Sequence, residues 1–392
     1  MSKGAVTVWS NSPYQPTGYG VQAGYLVDNL MRDGYKTAAI SNYGLEGRND
    51  LLRTPYGDIP HYARGFEPYS NDVGPMNHHH FRQQYPDLND LLITLYDVWV
   101  LKGSAWDKIR RIASWTPLDH ITMPPKVEAW LRKPNVTPIA MSPHGQRQML
   151  EKGIDCLYVP HAIDTNVMKP TDSLSGVPTR EYLGFGKDDF VVGMVAANKA
   201  SGLVHRKAFS ENLLAFSIFL KTRPDAKLYL HTDPLGAAGG WNLLKLCEAM
   251  GIPQDNVRFP SLADYRYGMS TDQLAALMTA MDVMLATSYG EGFGVPTMEA
   301  QACGTRVIGS DWAATPDLVA DDCFLVDGQP TWDVGQDAWW SIPLVPSIVN
   351  ALQLAYDAPR ERSQVCIDFA KQFDVEHVWQ TAWLPALDQL LA

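Results

Sequence analysis

The sequence has few cysteines, no excess of basic charge and no long apolar run. Its five cysteines are scattered, odd in number and never spaced as Cys-x-x-Cys, which argues against a disulfide framework and a zinc site. Its 32 basic residues face 43 acidic ones, so the protein lacks the field that concentrates nucleic acid at a surface. No apolar stretch approaches the ~20 residues that span a bilayer, and the amino terminus does not resemble a signal peptide. We therefore expect a cytoplasmic protein without a transmembrane segment.

What the chain does have is a regular alternation of β-rich runs and helical patterns over 392 residues, a length sufficient for two domains. Such alternation is typical of parallel sheets with crossover helices. The predicted strands are residues 5–9, 37–41, 91–95, 112–115, 136–141 and 157–159 in the first half, and 190–195, 227–232, 256–259, 283–286, 306–309 and 323–326 in the second.

Between the two halves, residues 166–188 break the pattern with prolines, glycines and serines, which predicts a linker. We therefore expect an α/β fold of two doubly wound Rossmann-like domains, residues 1–165 and 189–355, facing across a cleft. A helical tail, residues 356–392, is expected to pack back toward the first domain. Ligands of such sheets bind at the carboxyl ends of the strands.

The most informative stretch is residues 288–304, which follow a predicted strand and open a helix at Pro296. Glycines at positions 290, 292 and 294 let the backbone approach a ligand closely. Their N–H groups and the helix amino terminus favour a diphosphate. Glu299, placed in the first turn, can accept hydrogen bonds from two ribose hydroxyls, and Glu291 would face the sugar side. The residues alone indicate a cradle for a sugar nucleotide.

These two glutamates, eight positions apart around Gly-Phe-Gly-Val-Pro-Thr-Met, closely resemble the donor motif of the family 4 retaining glycosyltransferases, which have the GT-B fold. The resemblance implies that Glu299 holds the donor ribose. It also implies that Glu291, Gly292, Phe293 and Gly294 contact the transferred sugar and its phosphate. A capped core helix with a glycine-rich entry is the plainer interpretation, but it does not explain both glutamates.

Residues 198–209 resemble the basic loop that follows the first strand of the family's carboxyl-terminal domain. By this resemblance, Lys207 neutralises the diphosphate that leaves in the reaction. The family often has an arginine a few residues earlier, where this chain has Asn198 or Lys199, and Arg206 is the alternative source of that charge. A solvated helix start is the plainer interpretation of Arg206 and Lys207.

In the amino-terminal half, Gly18, Gly20 and Ala23 fit the Gly-x-Gly-x-x-Gly/Ala spacing of a nicotinamide site. That fingerprint places a carboxylate after the second strand, where this chain has Ile40-Ser41-Asn42, so a dehydrogenase is disfavoured. By resemblance, Gly18 and Gly20 approach the donor phosphates from across the cleft. A tight turn without ligand contact remains the alternative.

Asp119 and His120 follow a predicted strand at the place where the family often has a polar residue near the transferred sugar. With Glu291, they are the candidate catalytic residues, and Asp97 is a poorer candidate. An Asp-His pair is more often a helix cap or a loop contact, which is the alternative here.

The resemblance implies retention of anomeric configuration by a hexosyl- or pentosyltransferase. The acceptor hydroxyl would attack the face that the diphosphate leaves, without a protein nucleophile. The chain has no Asp-x-Asp triplet to hold a divalent cation. The triplet His78-His79-His80 does not suggest a metal site, because adjacent side chains point in different directions. We therefore predict no metal and no cofactor, with a UDP- or GDP-sugar as the donor substrate.

The sequence leaves the acceptor open among a glycan, a lipid and a small molecule, and peripheral contact with a membrane surface is a further alternative. A modified DNA base, as used by some phage glycosyltransferases, is an alternative that the acidic charge disfavours. Further alternatives on the same fold are a nucleotide-sugar epimerase, a phosphorylase and a non-catalytic protein that binds a nucleotide sugar.

Overall fold

The computed structural model describes residues 3–200 and 204–392. The first half of the chain forms an eight-stranded sheet. Its strands are β1 (Ala5–Asn11), β2 (Lys36–Tyr43), β3 (Asp50–Thr54), β4 (Gly57–Tyr62), β5 (Asp90–Leu95), β6 (Ile112–Thr116), β7 (Val136–Ala140) and β8 (Leu157–Tyr158). They lie in the order β3-β4-β2-β1-β5-β6-β7-β8, and every pair is parallel except β3 with β4. The intervening helices are α1 (Gly18–Arg32), α2 (Gly74–Arg82), α3 (Pro125–Leu131) and α4 (Pro143–Glu151).

The predicted linker contains a small hairpin, β9 (Ser173–Leu174) with β10 (Val177–Pro178), and the short helix α5 (Thr179–Tyr182). A second, fully parallel sheet follows in the order β13-β12-β11-β14-β15-β16. Its strands are β11 (Phe190–Val195), β12 (Ala226–His231), β13 (Val257–Arg258), β14 (Val283–Ala286), β15 (Arg306–Ser310) and β16 (Phe324–Val326). Its helices are α6 (Phe209–Leu220), α7 (Leu243–Ala249), α8 (Leu262–Tyr267), α9 (Thr271–Ala280) and α10 (Val295–Ala302).

The chain then makes an antiparallel hairpin, β17 (Gly328–Asp333) with β18 (Ala338–Pro343). Four helices follow, α11 (Val345–Asp357), α12 (Gln364–Ala370), α13 (Val375–Val378) and α14 (Leu384–Leu391). All twelve predicted strands are confirmed, whereas β3, β4, the small hairpin β9–β10 and the hairpin β17–β18 were not predicted. No helix in the described part of the chain is both long and apolar enough to cross a bilayer.

Helix α1 shows why the sequence folds as it does next to the cleft. Its start is fixed by Thr17, whose hydroxyl accepts a hydrogen bond from the Gly20 amide at 3.0 Å. Its apolar face, including Leu26 and Leu30, is buried against the sheet. Its end is marked by Gly34, whose φ of +88° is the predicted left-handed cap.

The helical tail contacts the first domain at its middle and at its carboxyl end. Arg32 donates to Glu376 at 2.6 Å, and Asn89 donates to the Leu391 carbonyl at 2.8 Å. Between these contacts, the Trp383 ring packs edge-on to Trp115 with centroids 4.8 Å apart. The tail therefore joins the two domains, while the division of the chain at the predicted residues stays a prediction.

The strand order reverses beside β1 in the first sheet and beside β11 in the second. β1 lies between β2 and β5, and β11 lies between β12 and β14. Loops at the carboxyl ends of the strands next to such a reversal form the ligand crevice of an α/β sheet. Here the loops of both sheets contact each other across the cleft, through Arg206 and Asp119.

Candidate active site

A cluster of charged side chains from both domains lies where the two sheets face each other. Lys207 Nζ pairs with Glu291 Oε1, and Arg206 Nη1 lies 3.5 Å from Glu291 Oε2. The same guanidinium nitrogen lies 3.5 Å from Asp119 Oδ2 and donates to the Gly290 carbonyl. The loops after β11 and β14 thus meet the loop after β6, which brings four of the predicted site residues together.

Mutual pairing fixes the charges in this cluster. Burial by itself would raise the pKa of Glu291, but Lys207 and Arg206 outweigh it and lower the pKa to about 2. Burial likewise opposes ionisation of Asp119, and His120 and Arg206 lower its pKa to about 2. Burial lowers the pKa of Lys207. Both carboxylates are therefore ionised at neutral pH and balance two cations in a partly buried site.

Glu299 differs from these residues because its carboxylate has no hydrogen-bond or ion-pair partner in the described part of the chain. It lies on α10, and burial raises its pKa to about 7. The helix begins at Val295, preceded by Gly294 with φ +85°, so Glu299 lies in the second turn. Its predicted place in the first turn was wrong. An unpaired, partly buried carboxylate is unfavourable unless a ligand supplies donors.

The glycines of the turn before α10 face the first domain closely. A Cβ at Gly290 would lie 1.9 Å from the Asp119 carbonyl oxygen, and one at Gly292 would lie 2.6 Å from Pro117 Cβ. Their close approach is therefore to protein backbone, not only to a ligand as the sequence suggested. The ring of Phe293 is buried and packs against Phe373 at 5.6 Å. Only its main chain remains for a ligand contact.

The two glycines at the start of α1 have different surroundings. A Cβ at Gly18 would approach only Val295 Cγ2, at 4.0 Å, so Gly18 faces the start of α10 across the cleft. A Cβ at Gly20 would lie 2.5 Å from the Gln15 carbonyl oxygen. Gly18 is thus in position for a ligand contact, whereas Gly20 is required by the turn itself.

We expect Gly20→Ala to lower the free energy of unfolding by about 1–3 kcal/mol, because the turn must open to admit the methyl group. Gly18→Ala should leave stability within about 0.5 kcal/mol, since its methyl group meets only an ordinary contact. Urea unfolding of the two variants measures both values. Equal stability of the two variants would contradict this assignment.

His120 is held at both ring nitrogens. Nδ1 lies 2.7 Å from Asp119 Oδ1, and Nε2 lies 3.2 Å from Asp333 Oδ2. Its ring stacks on Trp340, with centroids 4.8 Å apart and planes 17° apart. Neither ring nitrogen faces open space. This arrangement therefore does not support direct contact between His120 and a substrate, although the sequence made His120 a candidate catalytic residue. The arrangement suits a residue that positions Asp119.

In the structure, Arg206 and not Asn198 or Lys199 is the residue of the basic loop that lies beside Lys207 in the charged cluster. Asn198 is buried and donates to the carbonyls of Asp233 and Trp241, both at 2.7 Å, so it shapes the loop. Lys199 is exposed, whereas Arg206 lies in the charged cluster. Residues 201–203 of this loop lie outside the described residues.

Four residues at the site were missed or ranked low in the sequence. Tyr19 donates to Asp97 at 3.4 Å, and burial, with a contribution from Asp119, raises the pKa of Asp97 to about 6. Asp97 follows β5, the strand beside the reversal of strand order, and that position is the signal for it. Asp333 and Trp340 come from the hairpin β17–β18, and no local pattern indicated them.

The histidine triplet contacts separate partners. His78 Nδ1 lies 2.7 Å from the Thr7 hydroxyl, while the His80 ring packs edge-on to Tyr62. Within residues 3–200 and 204–392, no group of three or more His, Cys, Asp or Glu side chains is arranged to hold a metal ion.

Comparison with known proteins gives one family model and several curated relatives that match part of the chain. Residues 202–333 match the model of the family described as glycosyl transferases group 1. A D-inositol 3-phosphate glycosyltransferase from Mycolicibacterium vanbaalenii is 28% identical over 243 residues, which cover 59% of this chain and 45% of that protein. The chain thus spans less than half of the length of this curated relative.

Solved structures match the fold over the whole chain. Sucrose-phosphate synthase from Thermosynechococcus elongatus superposes with a TM-score of 0.73 at 17% identity, covering 99% of both chains. HepE from Anabaena, solved with UDP and glucose, has a TM-score of 0.65 at 18% identity and covers 98% of this chain and 100% of its own. These similarities confirm the predicted GT-B fold of two Rossmann-like domains.

Proposed function

We propose that this chain is a retaining, metal-independent glycosyltransferase. It moves a hexosyl or pentosyl group from a UDP- or GDP-sugar to an acceptor hydroxyl. The observation that carries the proposal is the pairing of Lys207 and Arg206 with Glu291, next to the unpaired carboxylate of Glu299. The match to group 1 glycosyltransferases supports it, because residues 202–333 contain all four of these residues.

The cationic part of the cluster suits the donor diphosphate. Without a ligand, Lys207 and Arg206 are balanced by Glu291 and Asp119. A diphosphate bound beside them would share these cations and accept hydrogen bonds from the amides that precede α10. Negative charge that develops on the leaving diphosphate is then stabilised by groups already in place.

Glu299 suits the ribose of the same donor. Its carboxylate has oxygen acceptors without donors, and a ribose presents two adjacent hydroxyl groups. Bidentate hydrogen bonding would remove the cost of the unsatisfied carboxylate and fix the orientation of the nucleotide. One face of α10 thus binds the ribose of the nucleoside, while the amino-terminal end of the helix contacts the diphosphate.

The sugar would lie between the diphosphate and the carboxylates of Glu291 and Asp119. Both are ionised, and their charge stabilises the positive charge that develops at the anomeric carbon. The bond from that carbon to the diphosphate breaks, and a bond to the acceptor oxygen forms on the same face. The acceptor proton goes to a phosphate oxygen, so no protein nucleophile is required.

A donor screen tests the proposal. The full chain is incubated with a panel of UDP- and GDP-sugars, and release of the nucleoside diphosphate is measured without and with acceptors, including the D-inositol 3-phosphate of the relatives' name. One donor should be hydrolysed slowly alone and consumed faster with its acceptor. Conversion to another nucleotide sugar would identify an epimerase, and binding without turnover would identify a non-catalytic protein; either result contradicts the proposal.

Nucleotide affinity should depend on the charge of Glu299. Burial raises the pKa of Glu299 to about 7. The fraction of ionised Glu299, which can accept hydrogen bonds from both ribose hydroxyls, therefore increases as the pH rises through that value. We expect the Kd for the nucleoside diphosphate to fall about tenfold from about pH 6 to about pH 8. Isothermal titration calorimetry with Glu299→Gln should show weaker binding without this pH dependence. Glu248→Gln, an exposed glutamate of the same domain, is the matched control; equal behaviour of both variants would place the pocket elsewhere.

A further inference from the structure

The hairpin β17–β18 belongs to the second half of the chain but contacts the first domain. The amide of Ile121 donates to the Trp339 carbonyl at 3.0 Å, and the Trp339 amide donates back at 2.7 Å. At the tip, Lys126 Nζ donates to the Gly335 carbonyl at 3.0 Å. The hairpin therefore spans the cleft next to the charged cluster and forms a short β-bridge with the loop after β6.

The same hairpin is tied to the glycine turn of the donor side. The Ser341 amide donates to the Tyr289 carbonyl at 2.9 Å, one residue before Gly290. Asp333 is fixed within the hairpin, because its Oδ1 accepts the Gly335 amide at 2.9 Å. Its other oxygen, Oδ2, is the one that faces His120 at 3.2 Å. Hairpin, donor turn and His120 therefore form one connected unit.

The two carboxylates around His120 favour the charged form of its ring. A neutral imidazole has one N–H donor, whereas here both ring nitrogens face carboxylate oxygens, which are acceptors. The imidazolium is the form that both carboxylates stabilise, through a hydrogen bond from Nε2 to Asp333 and an ion pair of Nδ1 with Asp119 that is not an aligned hydrogen bond. Trp340, stacked on the ring, adds a favourable contact between a cation and an aromatic face. Burial alone would lower the pKa of His120, but Asp119 and Asp333 outweigh it and raise the pKa.

We propose that Asp333 is a positioning residue for the reaction: through the His120 ring, it fixes the Asp119 carboxylate beside Arg206. Asp119 is then in place only when the hairpin contacts the first domain, so the hairpin completes the sugar end of the site. This proposal rests on the proposed transferase function. The charged group that faces this unit is Arg206, 3.5 Å from Asp119 Oδ2. The titratable group beside it is His144, whose Nε2 lies 2.9 Å from the His120 carbonyl and whose pKa is lowered by burial.

The variant Asp333→Asn tests this role with little change in shape. It is compared with Asp337→Asn, which removes the same charge from an exposed position of the same hairpin, where φ of +52° is acceptable for asparagine. We expect Asp333→Asn to lower kcat about tenfold, because Asp119 is less well oriented, with the KM for the donor nearly unchanged. Asp337→Asn should behave as the wild type. A change in donor KM without a change in kcat would overturn the proposal.

The pH dependence adds a readout that a purely structural role would not change. The His120 ring is fully protonated below about pH 6.5, the ordinary pKa of histidine. It loses its proton as the pH rises through its raised pKa. Activity should fall on this alkaline side, and Asp333→Asn should move the fall to lower pH.

A measurement without turnover separates this proposal from the proposed function. NMR titration of ring-labelled histidine in the full chain, assigned with His120→Gln, should show a His120 pKa above the ordinary range that drops in Asp333→Asn and not in Asp337→Asn. An unchanged His120 pKa in Asp333→Asn would overturn the positioning role even if transferase activity is found. If the pKa shifts as expected but no donor is turned over, the proposed function fails, and the positioning role fails with it.

Discussion

Replacing Lys207 by methionine is expected to lower kcat by about 10²–10³-fold, the effect of removing one preorganised group that stabilises developing negative charge. Lys207 lies in the loop after β11 and pairs with Glu291, and burial lowers its pKa. A cation in such a place is costly unless it serves an anion. Steady-state release of nucleoside diphosphate measures the effect.

Two further variants sharpen this test. Lys221→Met makes the same chemical change at the exposed end of α6, the helix that follows Lys207, and should leave kcat within about twofold because surface changes have small effects. The double variant Lys207→Met/Glu291→Gln removes both partners of the pair. If Lys207 only neutralised Glu291, this double variant would recover the affinity for the nucleoside diphosphate that Lys207→Met loses, as measured by calorimetry. We expect no recovery, and recovery would contradict a role on the diphosphate.

Gly290→Ala is expected to reduce kcat by about 10²-fold or more, since displacement of reacting groups by about 1 Å has this effect. Its Cβ would lie 1.9 Å from the Asp119 carbonyl oxygen, well inside contact distance. The loop that carries Asp119 must then move away from the donor turn, which separates Arg206 from Asp119. Position 290 has no positive φ, so alanine strains this contact and not the backbone itself.

The control for Gly290→Ala is Gly145→Ala in α4. A Cβ there would meet its nearest neighbour, Ser142 Oγ, at 3.4 Å, an ordinary contact, and alanine favours a helix. Both variants should fold, as judged by thermal unfolding, and only Gly290→Ala should lose activity. Full activity of Gly290→Ala would show that the two loops do not need to meet during turnover.

Much of the fold could be predicted from the sequence because parallel strands buried on both faces are near-continuous apolar runs. All seven residues of β1 are buried, and the alternation of such runs with helical patterns identifies both sheets. The donor turn was also predictable, since Glu291, Gly294 and Glu299 lie within one short segment. The spacing of residues in the sequence is sufficient to predict a site when the residues of that site are close together in the chain.

The hairpin β17–β18 was not predicted, because the sequence of its first strand, β17, does not resemble a strand. Pro330 stands inside β17, where a proline normally argues against a strand, and four of the six β17 residues are not apolar. Strands β3 and β4 were missed for a similar reason, as β3 is largely exposed. Such strands depend on a partner elsewhere in the chain.

Contacts between distant residues were likewise beyond sequence reasoning. His120 and Asp333 are 213 positions apart, and no pattern in one sequence pairs them. For the same reason, the sequence indicated that Gly290 and Gly292 approach a ligand, while the structure shows them against the first domain. A glycine in the sequence indicates that another group lies close to the backbone, but not whether that group belongs to a ligand or to the protein.

The central claim is that one helix entrance and the basic loop opposite hold a sugar nucleotide. The most direct test is a crystal structure of the full chain with the nucleoside diphosphate that binds in calorimetry. The account predicts the ribose hydroxyls on the Glu299 carboxylate and the diphosphate between Lys207, Arg206 and the amides before α10. A nucleotide bound away from residues 290–299, or a ribose without contact to Glu299, would contradict it.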